Sequence, residues 1–191
     1  KTKLQEPTQD AYIYLGNKVN DNNMKVLKFI KMKEETLNRI KNEIELMQFV
    51  KHPNILKIED YFIFKEYVCI VTPYCPLSNL HDFIINNYPS GMPNKMAAHI
   101  TYQLLEALRY LHNLNIWHRD IKPENILVIN DDEKNPNVVL ADFGFAKKIE
   151  EETYNKEFLG TPEFTAPEMF KLEQYTNKVD IYSLGVTLFV M

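Results

Sequence analysis

The apolar residues change their period once along the chain, and that change limits the fold more than any other feature. Before residue 75 the runs YIYLG, KVLKFIKM, ILKIEDYFIF and YVCIVTPYC are strand-like. One helical pattern interrupts them, in which Leu37, Ile40, Ile44 and Met47 recur at helical steps. The polar run NKVNDNN predicts a hairpin between the first two strands, and His52-Pro53-Asn54 stops the helix. After Cys75 the pattern is mainly helical: a short helix over 80–86, then a long one in which Ala97, Ile100, Leu104, Leu108 and Leu111 trace one stripe. The runs NILVI and NVVLA, around the polar insert NDDEKNPN, predict a further hairpin. An α+β chain follows, with a small antiparallel sheet and one helix over residues 1–75 and a larger, mainly helical part over 76–191. The change of class near residues 73–77 predicts a hinge.

Composition narrows the function. With 45% hydrophobic residues in 191, the chain can bury a core. A net charge of −4 offers no broad basic face, which argues against nucleic acid as a partner. Cys69 and Cys75 form neither a disulfide framework nor a zinc set, so they read as small buried residues in an intracellular, cytoplasmic setting. No signal-peptide pattern opens the sequence, and the apolar stretch 179–191 is too short to span a bilayer and contains Asp180.

Three motifs carry the chemistry: His118-Arg119-Asp120 with Asn125, then Asp142-Phe143-Gly144, then Ala166-Pro167-Glu168. In this order they resemble the catalytic loop, the metal-binding segment and the end of the activation segment of eukaryotic-type protein kinases. The resemblance runs from about Tyr12 to Met191 and implies a two-lobed kinase fold. It also implies transfer of the γ-phosphoryl group of magnesium-ATP to protein hydroxyls, chemistry that depends on positioning and charge neutralisation. By the same resemblance Asp120 would accept or orient the proton of the substrate hydroxyl, Lys122 would contact the γ-phosphate, and Asp142 and Asn125 would hold Mg2+. Lys122 marks the serine/threonine class. Lys28, in KVLK, would hold the α- and β-phosphates and pair with Glu43 of the following helix. Thr72 falls at the gatekeeper position, and Pro73 to Cys75 form the strand that would meet adenine, with Pro73 offering only its carbonyl.

The motif style is nearest to the calmodulin-dependent and cyclic-nucleotide-dependent groups. Glu124 and Glu163 resemble carboxylates that favour basic residues near the acceptor. Arg119 beside Asp120 implies an anion on the activation segment. Glu157, three residues before Gly160, is expected to supply that charge permanently, with Thr153 or Tyr154 as alternative switch positions.

Two departures stand out. The phosphate-covering loop, expected over Glu6-Pro7-Thr8-Gln9-Asp10-Ala11, contains no glycine, which supports an alternative pseudokinase reading as a binding or allosteric module. The chain also stops inside the helix expected to begin near Thr176, so the helical lobe is incomplete relative to the family. Glu168 is then expected to be buried without its downstream arginine, leaving the fragment poorly stable. A metal-dependent hydrolase could use the same carboxylates, but it gives no reason for the ordered motifs.

Overall fold

A computed structural model describes residues 2–3, 11–17, 22–130, 132, 135–150 and 155–191. It divides into two compact units, one formed by residues 1–51 and 56–74, the other by residues 52–55 and 75–191. The expected glycine-free loop, apart from Ala11, and the positions Thr153 and Tyr154 lie outside the described residues.

In the first unit, β-branched and aromatic residues build an antiparallel sheet from β1 (Thr2–Lys3), β2 (Ala11–Gly16), β3 (Lys25–Lys31), β4 (Asp60–Phe64) and β5 (Tyr67–Pro73), in the order β1-β2-β3-β5-β4. The β2–β3 register sets Ile13 opposite Lys28, and the β3–β5 register sets Lys28 opposite Ile70. Helix α1 (Glu34–Phe49) starts where the Lys33 amide donates to Thr36 Oγ1, with Glu34 and Glu35 favourably placed at its positive end. Its buried face comprises Ile40, Glu43, Ile44, Leu46 and Met47. Leu37, expected on that face, is 44% exposed, because the stripe lies over the later turns. The run expected as one strand from Ile55 is extended in the ladder only over β4; Ile55 itself belongs to the second unit and makes a single parallel bridge to Leu140 within it.

The second unit is organised by α2 (Leu80–Asn87), α3 (Asn94–Asn113), α4 (Pro167–Phe170) and α5 (Lys178–Phe189). Asn79 caps α2 by accepting the Asp82 amide at 2.9 Å. The predicted stripe of α3 is buried, and the buried face also takes in one polar residue that the stripe did not contain, Gln103. Its side chain accepts from Asn54 Nδ2 at 2.8 Å and from the Val138 amide at 3.1 Å, and donates to the Pro136 carbonyl at 2.9 Å. This satisfied network fixes a hairpin of β7 (Ile126–Val128) and β8 (Val138–Leu140) against α3. A second ladder pairs β6 (Ile116–Trp117) with β9 (Lys147–Lys148). Residues 118–125 therefore connect β6 to β7, and residues 141–146 connect β8 to β9. Both motif-bearing segments hang from the same two ladders. Among the described residues, no helix is long and apolar enough to cross a membrane.

Candidate active site

The connection after β6 is bent around one buried carboxylate. Asp180, on the first turn of α5 and fully buried, accepts the Arg119 amide at 2.7 Å through Oδ1. Its Oδ2 accepts the His118 amide at 3.0 Å and meets His112 Nε2 at 2.8 Å. These partners hold Arg119 in left-handed backbone, φ 66°. His118 is buried too: Nε2 donates to the Ala141 carbonyl at 3.0 Å, and its ring meets the buried Phe143 edge-on at a centroid distance of 5.1 Å.

The candidate side chains of this loop then converge. Asn125 ends a 3-10 turn opened by Pro123, and its Nδ2 donates both to the Asp120 carbonyl and to Asp120 Oδ2, each at 2.8 Å. Thr161 Oγ1 donates to Asp120 Oδ1 at 3.0 Å and accepts from Lys122 Nζ at 2.6 Å. Lys122 Nζ lies 3.6 Å from Asp120 Oδ2. Each carboxylate oxygen of Asp120 thus has its own neutral donor, with an ammonium beside the pair. The chain reaches this arrangement through Gly160, at φ 90°, where a Cβ would stand 2.7 Å from the Arg119 carbonyl oxygen.

The Asn125 carbonyl accepts the Ala141 amide at 2.8 Å, which places Asp142 beside this loop. Asp142 has φ 59°, and its Oδ1 accepts the Gly144 amide at 3.2 Å. With both Asn125 amide hydrogens directed at Asp120, its side-chain oxygen is the hard donor it can offer. No group of three or more His, Cys, Asp or Glu side chains able to hold a metal occurs among the described residues. One carboxylate and one amide oxygen match the way Mg2+ is retained, by few protein ligands together with substrate phosphates.

Lys28 and Glu43 belong to the first unit, and the structure brings them together: Lys28 Nζ lies 2.9 Å from Glu43 Oε1. The Glu43 side chain is 5% exposed and that of Lys28 is 28% exposed. Thr72 is buried on β5 opposite Val26, and Pro73 ends the strand opposite Lys25. Cys75 begins the long segment of the second unit, and burial pushes its thiol pKa up.

Arg119, Glu124, Glu157, Glu163 and Glu168 are the remaining charged residues singled out in the sequence. Arg119 Nε donates to the Phe145 carbonyl at 2.9 Å, while Nη1 donates to Glu157 Oε2 at 3.0 Å and to the Tyr175 hydroxyl at 3.1 Å. Glu124 and Glu163 are both exposed. Glu168, expected to be buried, is only partly covered, so the cost of an unpaired buried carboxylate does not apply to it. Sequence reasoning missed Thr161, whose only signal was its place after the turn-forming Gly160, and His112, whose role depends on a residue far along the chain.

The sequence profile of the protein kinase domain matches residues 9–191, and the chain belongs to that family. It is 34% identical over 158 residues to a probable myosin light chain kinase of Dictyostelium discoideum, an alignment covering 83% of this chain and 40% of that protein. It is 33% identical over 171 residues to human serine/threonine-protein kinase D2, covering 87% and 19% respectively. With Xenopus laevis serine/threonine-protein kinase ULK3 the identity is 35% over 158 residues, covering 83% and 33%. The chain thus spans less than half the length of these relatives.

Proposed function

We propose that this chain is the catalytic core of a serine/threonine protein kinase, with residues 1–75 as its nucleotide-holding lobe and 76–191 as the lobe that carries the acceptor site. The observation that carries this reading is the Asp120 carboxylate, held by Asn125 and Thr161 with Lys122 alongside. A carboxylate fixed this way can accept a hydrogen bond from an incoming hydroxyl and orient its oxygen for in-line attack. Lys122 neutralises charge on the phosphoryl group as it moves. Asp142 and the Asn125 side-chain oxygen would hold Mg2+, which would supply charge neutralisation to the phosphates. Lys28, kept in place by Glu43, holds the α- and β-phosphates of ATP, while Thr72, Pro73 and Cys75 line the adenine position.

Exposed Glu124 and Glu163 support a preference for basic residues near the acceptor serine or threonine. One sequence feature favours a second reading, a pseudokinase: the glycine-free stretch before β2. The test is transfer of labelled γ-phosphate from magnesium-ATP to an arginine-containing serine peptide by the full-length protein, with Asp142→Ala as control. Transfer abolished by the substitution supports the kinase. A folded protein that binds nucleotide without transferring phosphate supports the pseudokinase.

A further inference from the structure

Among the described residues of the second unit, Arg119 is a buried cation. Its side chain is 6% exposed, and Glu157 is the carboxylate that the described residues pair with it. A guanidinium so placed needs a fixed anion, since a buried charge without one is strongly unfavourable. Phosphorylation is one way to supply that anion, but here a carboxylate already occupies the position.

The consequence reaches beyond the pair. Arg119 ties three separate segments together: the stretch after the metal motif through Phe145, the activation segment through Glu157, and the approach to α5 through Tyr175. The backbone next to Arg119 belongs to Asp120. Three residues beyond Glu157 the chain turns at Gly160 against the Arg119 carbonyl, and Thr161 then meets Asp120. Anchoring Glu157 thus sets the position of the hydroxyl that orients Asp120. The segment is also packed by its own residues: Leu159 and Trp117 pack against a cluster of Ala166, Met169, Tyr175 and Val179, and the Asn155 carbonyl accepts the Tyr175 amide at 3.3 Å.

We infer that Glu157 is a positioning residue that holds the activation segment in its working arrangement without phosphorylation, so that activity does not depend on phosphorylation between residues 142 and 168. This rests on the kinase reading above. The Glu157 side chain is 56% exposed. Solvent screens the Glu157 half of the pair, and the readouts specific to positioning are turnover and local order.

The experiment uses the full-length protein treated with phosphatase, with intact-mass measurement showing the segment to be unmodified. The wild type is expected to retain its turnover. Glu157→Gln is expected to lose about tenfold in kcat with the KM for ATP unchanged, and to exchange amide hydrogens faster over residues 158–161. Glu173→Gln, an exposed charge-matched control, is expected to behave as the wild type in both. Unchanged kcat and exchange in Glu157→Gln, or loss of wild-type activity after phosphatase, would overturn the inference. Faster exchange in Glu157→Gln, in a protein that transfers no phosphate in any state, would uphold the positioning role and count against the kinase reading instead.

Discussion

The Thr161 hydroxyl stands between two residues of opposite charge, donating to Asp120 Oδ1 at 3.0 Å while accepting from Lys122 Nζ at 2.6 Å. One small group therefore fixes both the carboxylate and the ammonium. Thr161→Val keeps the shape and removes both bonds. Peptide phosphorylation is expected to lose about tenfold in kcat, while Thr161→Ser retains most of it.

The Lys28–Glu43 pair is asymmetric, and its two halves are expected to differ in stability. Lys28→Met leaves a buried carboxylate without its cation. The cost is about 2 kcal/mol, less than for a fully buried pair because the Lys28 side chain reaches solvent. Glu43→Gln leaves a neutral amide and a lysine that can turn to water, costing about 0.5–1 kcal/mol. Urea unfolding midpoints of the two variants check the order.

Gly160 leaves no room for a side chain. A methyl group there would meet the Arg119 carbonyl at 2.7 Å and Asp120 Oδ1 at 3.3 Å, on backbone at φ 90°. Gly160→Ala is expected to destabilise by about 1–3 kcal/mol, and to reduce kcat by displacing Asp120. The corresponding change at Gly91, also at positive φ but with open space around it, is expected to leave kcat unchanged. Comparing the two separates backbone strain from displacement of Asp120.

His52 provides a pH dependence. Its pKa is lowered from 6.5, chiefly by burial and against the opposing pull of Glu106, with Arg109 adding to the lowering. The neutral ring accepts the Asn54 amide through Nδ1 at 3.1 Å and lies against Tyr110 at 5.3 Å. A group with a lowered folded-state pKa contributes its stability in full above the unfolded value and loses it as pH falls through the folded one. The unfolding midpoint is expected to decline below about pH 6.5. His52→Asn, whose side-chain oxygen can take the same amide, is expected to flatten that decline.

Those parts of the fold that bury one face of a regular element were legible in the sequence. The α3 stripe appears as read, because a twenty-residue helix gives its period many repeats. The β6–β9 ladder was not legible: two residues on each side carry no period. The strand expected from Ile55 failed because apolar content alone does not distinguish a buried loop from a ladder, and Ile55, Leu56 and Ile58 are buried without pairing continuously. At the candidate site, Asp120, Asn125 and Asp142 announced themselves by ordered motifs. The bonds of Thr161 to Asp120 and of His112 to Asp180 join residues 41 and 68 positions apart, beyond the reach of local pattern. The Lys28–Glu43 and Arg119–Glu157 contacts could be anticipated only by placing each residue within a family framework.

Arg119 and Asp142 both hold left-handed backbone angles that side-chain-bearing residues adopt at a cost. The strain sits at the two bends that aim Asp120 and Asp142, the carboxylate proposed to hold the metal. Laboratory selection for heat resistance alone would find easy gains there, through glycine or through relaxation of the bends, and would gradually blunt the chemistry. Thermostabilising libraries for this domain therefore need a turnover screen at every round.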